Sequence, residues 1–510
     1  MTQIRLHATR IAAASLLALV AACTTVGPNY KVPNEAVAKR ADASAPFMGG
    51  AETPFKADPL PPDWWRLYHD ATLDGLIAKA FAANADLRVA AANLERTHAL
   101  LEEVEEHRRP EVETGASAGY GRLAGAALAL PEALPNMGLY SGDLRIGYQV
   151  DLFGKIKRAI EAAEADKEAA EAASDLAHVT VAAATAGAYA DACSAGYQLK
   201  VAQRSLELQQ KFVRLTGERV ARGRGIALDN SRARSQLEQL RAALPPLQAQ
   251  RRTALYRLAV LTGEVPSKFP ANVAQCETAP RVSAAIPVGD GAALLRRRPD
   301  IRQAERTLAA ATARIGVATA ELYPSVNLGL SVGSIGMLSG FGDPNTFHFS
   351  LGPLINWSLP ATSPARVHIA QAKAGTAGAL AHFDATVLAA LRETESALTV
   401  YARELDRNAA LKAARDQSAL AAQQAAKLYK FGRTDFLPAL DAERTLANAE
   451  SAVAASDAKL AGDQVTLFLA LGGGWETASA QHGAGEHGGA EHGPSGHGPA
   501  QHGTGEHGAR

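Results

Sequence analysis

The chain has 510 residues, of which 47% are hydrophobic but only 5% aromatic, and its 52 basic residues balance 52 acidic ones. That neutrality excludes the broad basic field that gathers nucleic acid and the acidic field that gathers cationic substrates. With alanine dominating the helical stretches and few large rings, the surfaces must pack by close approach of small side chains.

Residues 1–22 carry Arg5 and Arg10, an apolar run from Ile11 to Val20, and Ala21-Ala22 before Cys23. This is the make-up of a secretory signal, and the run is too short to span a bilayer. Val20-Ala21-Ala22-Cys23 resembles a bacterial lipobox, so the mature chain is expected to begin at a lipid-modified Cys23. Acyl chains, at roughly 0.8 kcal/mol per buried methylene, then tether residues 23–66 to a leaflet. Thr24 after the cysteine resembles outer-membrane sorting.

Residues 67–265 and 289–474 read as two copies of one unit, joined by a linker over 266–288. Asp86-Leu87-Arg88 and Pro110-Glu111-Val112 recur as Asp300-Ile301-Arg302 and Pro324-Ser325-Val326, an offset of 214 (86 to 300, 110 to 324). Gly223-Arg224 with Leu228 recurs as Gly432-Arg433 with Leu437, an offset of 209 (223 to 432). Each copy is predicted to run helix, strand, loop, strand, very long helix, turn, helix.

The strands are expected over about 111–120, 143–152, 325–333 and 347–359. In the third, Val326, Leu328, Leu330 and Val332 share a face opposite Asn327, Gly329 and Ser331. The second opposes Leu144, Ile146, Tyr148 and Val150 to Asp143, Arg145 and Gln149, and the fourth aligns Phe347, Phe349, Leu351, Ile355, Trp357 and Leu359. Strands of about ten residues with one apolar and one polar face suit a barrel with lipid outside and water inside. Four strands cannot close such a barrel, and an open edge in lipid strands backbone groups, so several chains must share one.

Residues 155–222 and 365–430 contain no proline and are predicted to form helices roughly 100 Å long, at about 1.5 Å per residue. Leu199, Leu206, Val213 and Val220 form one seven-residue series; Val201, Leu208 and Leu215 form another, displaced by about 200° around the helix. Two such seams suit a wall helix with a neighbour on each side. Gly223-Arg224-Gly225 and Phe431-Gly432-Arg433 mark tight reversals, and Pro245-Pro246 is expected to kink the first return helix. Cys193 and Cys276 read as two inert thiols, one in a helix and one in the linker.

Gly115-Ala116-Ser117-Ala118-Gly119 matches the G-x-S-x-G pattern of serine hydrolases. The pattern recurs one repeat later as Gly329-Leu330-Ser331-Val332-Gly333, both times on a strand's polar face, so no enzyme is expected. After residue 475 the composition changes to glycine, alanine and glutamate, with His482, His487, His492, His497, His502 and His507 at five-residue spacing. Such a tail holds no core. Its neutral imidazoles suit Ni²⁺, Cu²⁺ or Zn²⁺, unless the segment is an inert extension.

Four phrases resemble the TolC-like outer-membrane efflux factors, in particular the lipoprotein branch of OprM-like and NodT-like channels. They are Cys23 to Tyr30 with Pro33; Val150-Asp151-Leu152-Phe153-Gly154-Lys155; Arg297-Arg298-Pro299-Asp300-Ile301-Arg302-Gln303-Ala304-Glu305; and Leu428-Tyr429-Lys430 leading through Gly432 to Leu440-Asp441-Ala442-Glu443. The resemblance implies a homotrimer whose twelve strands form one transmembrane β-barrel, continued by a periplasmic α-helical barrel closed at its tip. It further implies a passive exit duct that docks on a periplasmic adaptor and an inner-membrane proton-driven pump of the RND type, for drugs or other small toxic compounds. It places the tip at the helix reversals, where Tyr429, Arg433 and Asp435 in one copy and Arg224 and Asp229 in the other are the gate candidates, if they do more than cap helices. Alternatives are an exit duct for secreted polypeptides, a heavy-metal channel using the tail, or an alanine-rich periplasmic coiled coil without lipid-facing strands.

Overall fold

The computed structural model describes residues 25–122, 135–357 and 364–475; Cys23, Leu359 and the six tail histidines lie outside them. In chain order its elements are β1 (Phe55–Lys56), α1 (Ala71–Ala83), α2 (Ala85–Glu106), β2 (Glu111–Gly121), β3 (Met137–Val150), α3 (Lys155–Ala221), α4 (Ala227–Ala242) and α5 (Leu244–Leu261). There follow β4 (Ile286–Pro287), α6 (Gly291–Arg297), α7 (Pro299–Ala320), β5 (Ser325–Met337), β6 (Phe347–Asn356), α8 (Pro364–Lys430) and α9 (Phe436–Leu471).

The long helices α3 and α8 have 67 residues each, roughly 100 Å at about 1.5 Å per residue. At one end α3 lies beside α2 and α7; toward the other it lies beside α5, α4 and α9, while α8 flanks α7 and then α9. Alanine makes this close packing possible: Ala172, Ala182, Ala188 and Ala192 of α3 are fully buried. The first return helix breaks at Ala243 ahead of Pro245-Pro246, whereas α9 runs unbroken.

Shorter helices thus follow one another in the slots beside the long ones, and one residue bridges each junction. Asn84 donates from Nδ2 to the carbonyl of Leu261 at the end of α5, and its Oδ1 accepts from the amides of Asp86 and Leu87 that open α2. One repeat later Arg298 donates from Nη1 to the carbonyl of Ala470 near the end of α9 and grips Asp300 in the first turn of α7. Each satisfies orphan backbone groups or charges at two helix ends at once. Asn84 also divides the single helix expected before the first strand into α1 and α2.

The four long strands form one antiparallel sheet in the order β2-β3-β5-β6. Strand β3 starts at Met137, six residues before the expected start, and β5 runs on to Met337.

Residues 25–56 strap the same wall. Val26 bonds the carbonyl of Phe153, Tyr30 donates to Glu305, and Asp384 and Glu395 of α8 accept from the amides of Val37 and Met48. A belt follows, in which Trp64 is fully buried, stacks on Phe468 at 4.6 Å and donates to the carbonyl of Gly473. β1 pairs in parallel with β4, joining this belt to the linker between repeats.

The reading of Cys193 and Cys276 as inert thiols is corrected: they form a disulfide, 83 residues apart in sequence with Cα atoms 4.8 Å apart. The linker reaches α3 because Gly196 has no side chain; a Cβ there would collide with the carbonyl oxygen of Cys276. Lys200 pairs with Glu277, and Arg251 of α5 donates to the carbonyls of Ala274 and Cys276.

Candidate functional site

Two regions are the candidates for function: the sheet, and the far ends of the long helices. In the sheet, strand register puts paired residues on one face. Val112, Ile146 and Leu330 lie in line, as do Leu144, Val332 and Phe349, so the apolar positions of all four strands merge into one face. Most of this face is open among the described residues, with Phe349 72% exposed and Leu351 77%, while at one end Phe341 packs over Tyr140 with ring centroids 4.8 Å apart. The opposite face lines up Ser117 with Ser141, and Glu113 with Arg145 and Ser331. Arg145 pairs with Asp143 at 2.9 Å, and the gaps between these polar groups are glycines such as Gly115, Gly147 and Gly329.

The serines of the two G-x-S-x-G matches lie in mid-strand on that polar face, not on a strand-to-helix turn. Ser117 bonds Ser141 at 2.8 Å and Ser331 bonds Ser350 at 3.0 Å.

The outer strands β2 and β6 each have one neighbour among the described residues, leaving two ladders of backbone groups free. In water this would be an aggregation hazard, and in lipid each unsatisfied group costs several kcal/mol. The arrangement fits a segment of a larger closed cylinder.

At the other end, both helix reversals use the same closure. Gly223 and Gly432 have φ of +65° and +73°, and the amides of Arg224 and Arg433 return to the carbonyls of Arg219 and Leu428. These are Schellman ends, with glycine supplying the left-handed residue. Beside them Phe212, Tyr429 and Phe436 form a small core with ring centroids 5.6 to 6.1 Å apart. Arg219 lies over the Tyr429 ring at 4.4 Å and donates to the Tyr429 carbonyl at 2.7 Å. It thereby ties α3 to α8 at their tips.

Of the gate candidates, the structure brings only Tyr429 into this cluster. Arg224, Arg433 and Asp435 are exposed and Asp229 is half-buried. Among the described residues none of these four charges meets another in an ion pair, so a latch between them is not made within one protomer. Sequence reading missed Phe212, Arg219 and Phe436. Phe436, four residues after Gly432 and near Tyr429 and Phe431 in a chain so poor in aromatics, was the available signal; Phe212, eleven residues before Gly223, and Arg219 become visible only when the two long helices are placed side by side.

Slightly above the tip, Glu443 of α9 is half-buried against α3. Burial, with the nearby Glu450 carboxylate adding to it, pushes its pKa above the ordinary carboxylate value.

The sequence profile of the family described as outer membrane efflux protein matches residues 76–264 and again 292–473. Nodulation protein T of Rhizobium leguminosarum bv. trifolii is 28% identical over 458 residues, covering 90% of this chain and 96% of its own. The toluene efflux pump outer membrane protein TtgF of Pseudomonas putida is 27% identical over 471 residues, covering 92% and 97%. The solved outer-membrane channel OprN superimposes with a TM-score of 0.83 at 36% identity, over 89% of this chain and all of that one.

Proposed function

Because the chain belongs to the outer membrane efflux protein family and is an efflux channel of TolC-like fold in the outer membrane, we propose that three copies assemble into the exit duct of a tripartite pump. The observation that carries this reading is the sheet, with four strands, two edges free among the described residues and a largely exposed apolar face. Three such sheets joined edge to edge give twelve strands, within the range in which barrels close and hold water. The apolar face then meets lipid, the face with Asp143 and Arg145 meets the water column, and the long helices continue the duct into the periplasm.

A lipid on Cys23 fixes the orientation, since the strap that starts at residue 25 must leave the leaflet outside the barrel. The duct itself performs no chemistry; an inner-membrane RND pump supplies the energy and a periplasmic adaptor grips the helical tip. The cargo is small toxic compounds. Closure at the tip comes from the Phe212, Tyr429, Phe436 and Arg219 cluster within each protomer, with Arg224, Asp229, Arg433 and Asp435 left exposed to pair between protomers.

Deleting the gene and testing a panel of antibiotics, detergents and metal salts examines this reading. Increased sensitivity to organic compounds, reversed by the wild-type gene, is expected. Unchanged sensitivity across the panel would overturn it.

The tail supports a second reading, metal capture. Trp475, from which it departs, donates to the carbonyl of Arg297 and lies under Arg302, one helical turn from the Arg306 that covers Tyr30 of the strap. Trp475 thus lies on the strap's side of the wall, and on this reading His482, His487, His492, His497, His502 and His507 gather Ni²⁺, Cu²⁺ or Zn²⁺. Removing residues 476 to 510 should raise sensitivity to those salts; sensitivity to organics alone, unchanged by the truncation, would discard the metal role.

A further inference from the structure

Where α9 gives way to α7, the slot between α3 and α8 is incompletely filled, leaving a recess of about 550 Å³. That is the size of a pocket for a drug-like molecule. Leu176 and Val179 of α3, Ala397 and Val400 of α8 and Leu469 of α9 line it. The charges around it are paired, Arg392 and Glu393 with each other at 3.5 Å. Arg298 bonds Asp300, Glu393 and the Ala470 carbonyl through all three of its nitrogens, and Asp463 is held by Lys459 at 2.7 Å. What remains to offer a ligand is apolar contact, with the exposed hydroxyl of Ser396 the polar exception.

The recess faces away from the strap. On α8, Glu395 takes the amides of Met48 and Gly49, and Leu398 lies against Gly49. Glu393 and Val400 are each two residues from these, about 200° around the helix. On α9, Phe468 stacks on Trp64 of the belt, while Thr466 and Ala470, two residues to either side, border the recess. In the duct proposed above, on which this inference rests, the strap side is the outside, so the recess opens to the lumen.

We propose that this recess is a binding site for uncharged, lipophilic organic solutes on their way through the duct. Val400 and Leu469, 45% and 39% exposed, are the surfaces such a solute covers.

The test uses the purified full-length channel in nanodiscs with the neutral aromatic probe 1-aminoanthracene. Wild type should show a saturable fluorescence rise absent from empty nanodiscs. Val400→Trp, which fills the recess from an exposed position, should weaken that binding about tenfold or more, roughly 1.4 kcal/mol per tenfold. Leu469→Asn, which makes the wall polar without adding bulk, should weaken it in the same direction. Wild-type binding no greater than that of empty nanodiscs, or equal binding by wild type and both variants, would overturn the inference. Complementation of a channel-deleted strain by wild type is scored alongside. Restored export without saturable binding removes the recess and leaves the duct, whereas failed complementation by correctly assembled protein removes the duct.

Discussion

At the scale of single residues, Arg219 is the side chain that ties the two long helices together where they reverse, and on the proposed reading it holds the tip shut. It contributes a cation–π contact of about 0.5–2 kcal/mol and a charged hydrogen bond to a backbone carbonyl across two helices. One or two kcal/mol shifts an equilibrium by roughly 5–30-fold. Arg219→Ala should therefore let a large antibiotic such as vancomycin leak in, read as a lowered inhibitory concentration; unchanged susceptibility would show that the cluster does not hold the gate. Arg433→Ala or Asp435→Ala should have the same effect only if these exposed charges pair between protomers, and no added leak would reduce them to solvated helix ends. Glu443 gives a pH signature. Because its folded-state pKa is raised, its protonated form favours the folded state below the ordinary carboxylate value, and that contribution is lost as pH rises through the folded value. Glu443→Gln should thus raise the melting temperature near pH 7 and leave it nearly unchanged below about pH 4. An equal shift at both would contradict this origin.

At the scale of elements, the disulfide is the largest single addition to what local patterns predict. Closing a loop of 83 residues is worth up to about 4–5 kcal/mol in the chain-entropy picture. Replacing Cys193 and Cys276 by serine should lower the melting temperature by several degrees, and wild type should migrate faster on non-reducing gels than after reduction; equal mobility would mean that the bridge does not form. The pairing was hidden in the sequence because one cysteine sits in a helix and its partner in an irregular linker, and only the folded wall and Gly196 bring them together. The strands were legible wherever polarity alternated, as over Ser325 to Gly333. The first residues of β3 were not, because Met137 and Leu139 break the alternation by placing apolar side chains on the face that Ser141, Asp143 and Arg145 make polar. Long helices were legible from the absence of proline, and the reversals from their glycines. The break at Asn84 was not, since its two caps require the end of α5 beside it.

At the scale of the whole molecule, the sheet is paired within but incomplete at its edges and on its apolar face in one chain. Its two edge strands have free ladders, and the side chains of Phe349, Leu351 and Ile355 stand uncovered. The repeat explains how a single chain supplies two similar hairpins and two long helices, but two repeats give only four strands. Closure must come from other copies, and lipid must cover the apolar face. The most direct measurement is the mass and detergent dependence of the purified particle after its anchor is removed by Cys23→Ser. The account predicts a trimer that stays in solution only with detergent or a nanodisc around it; a soluble monomer without either would contradict it.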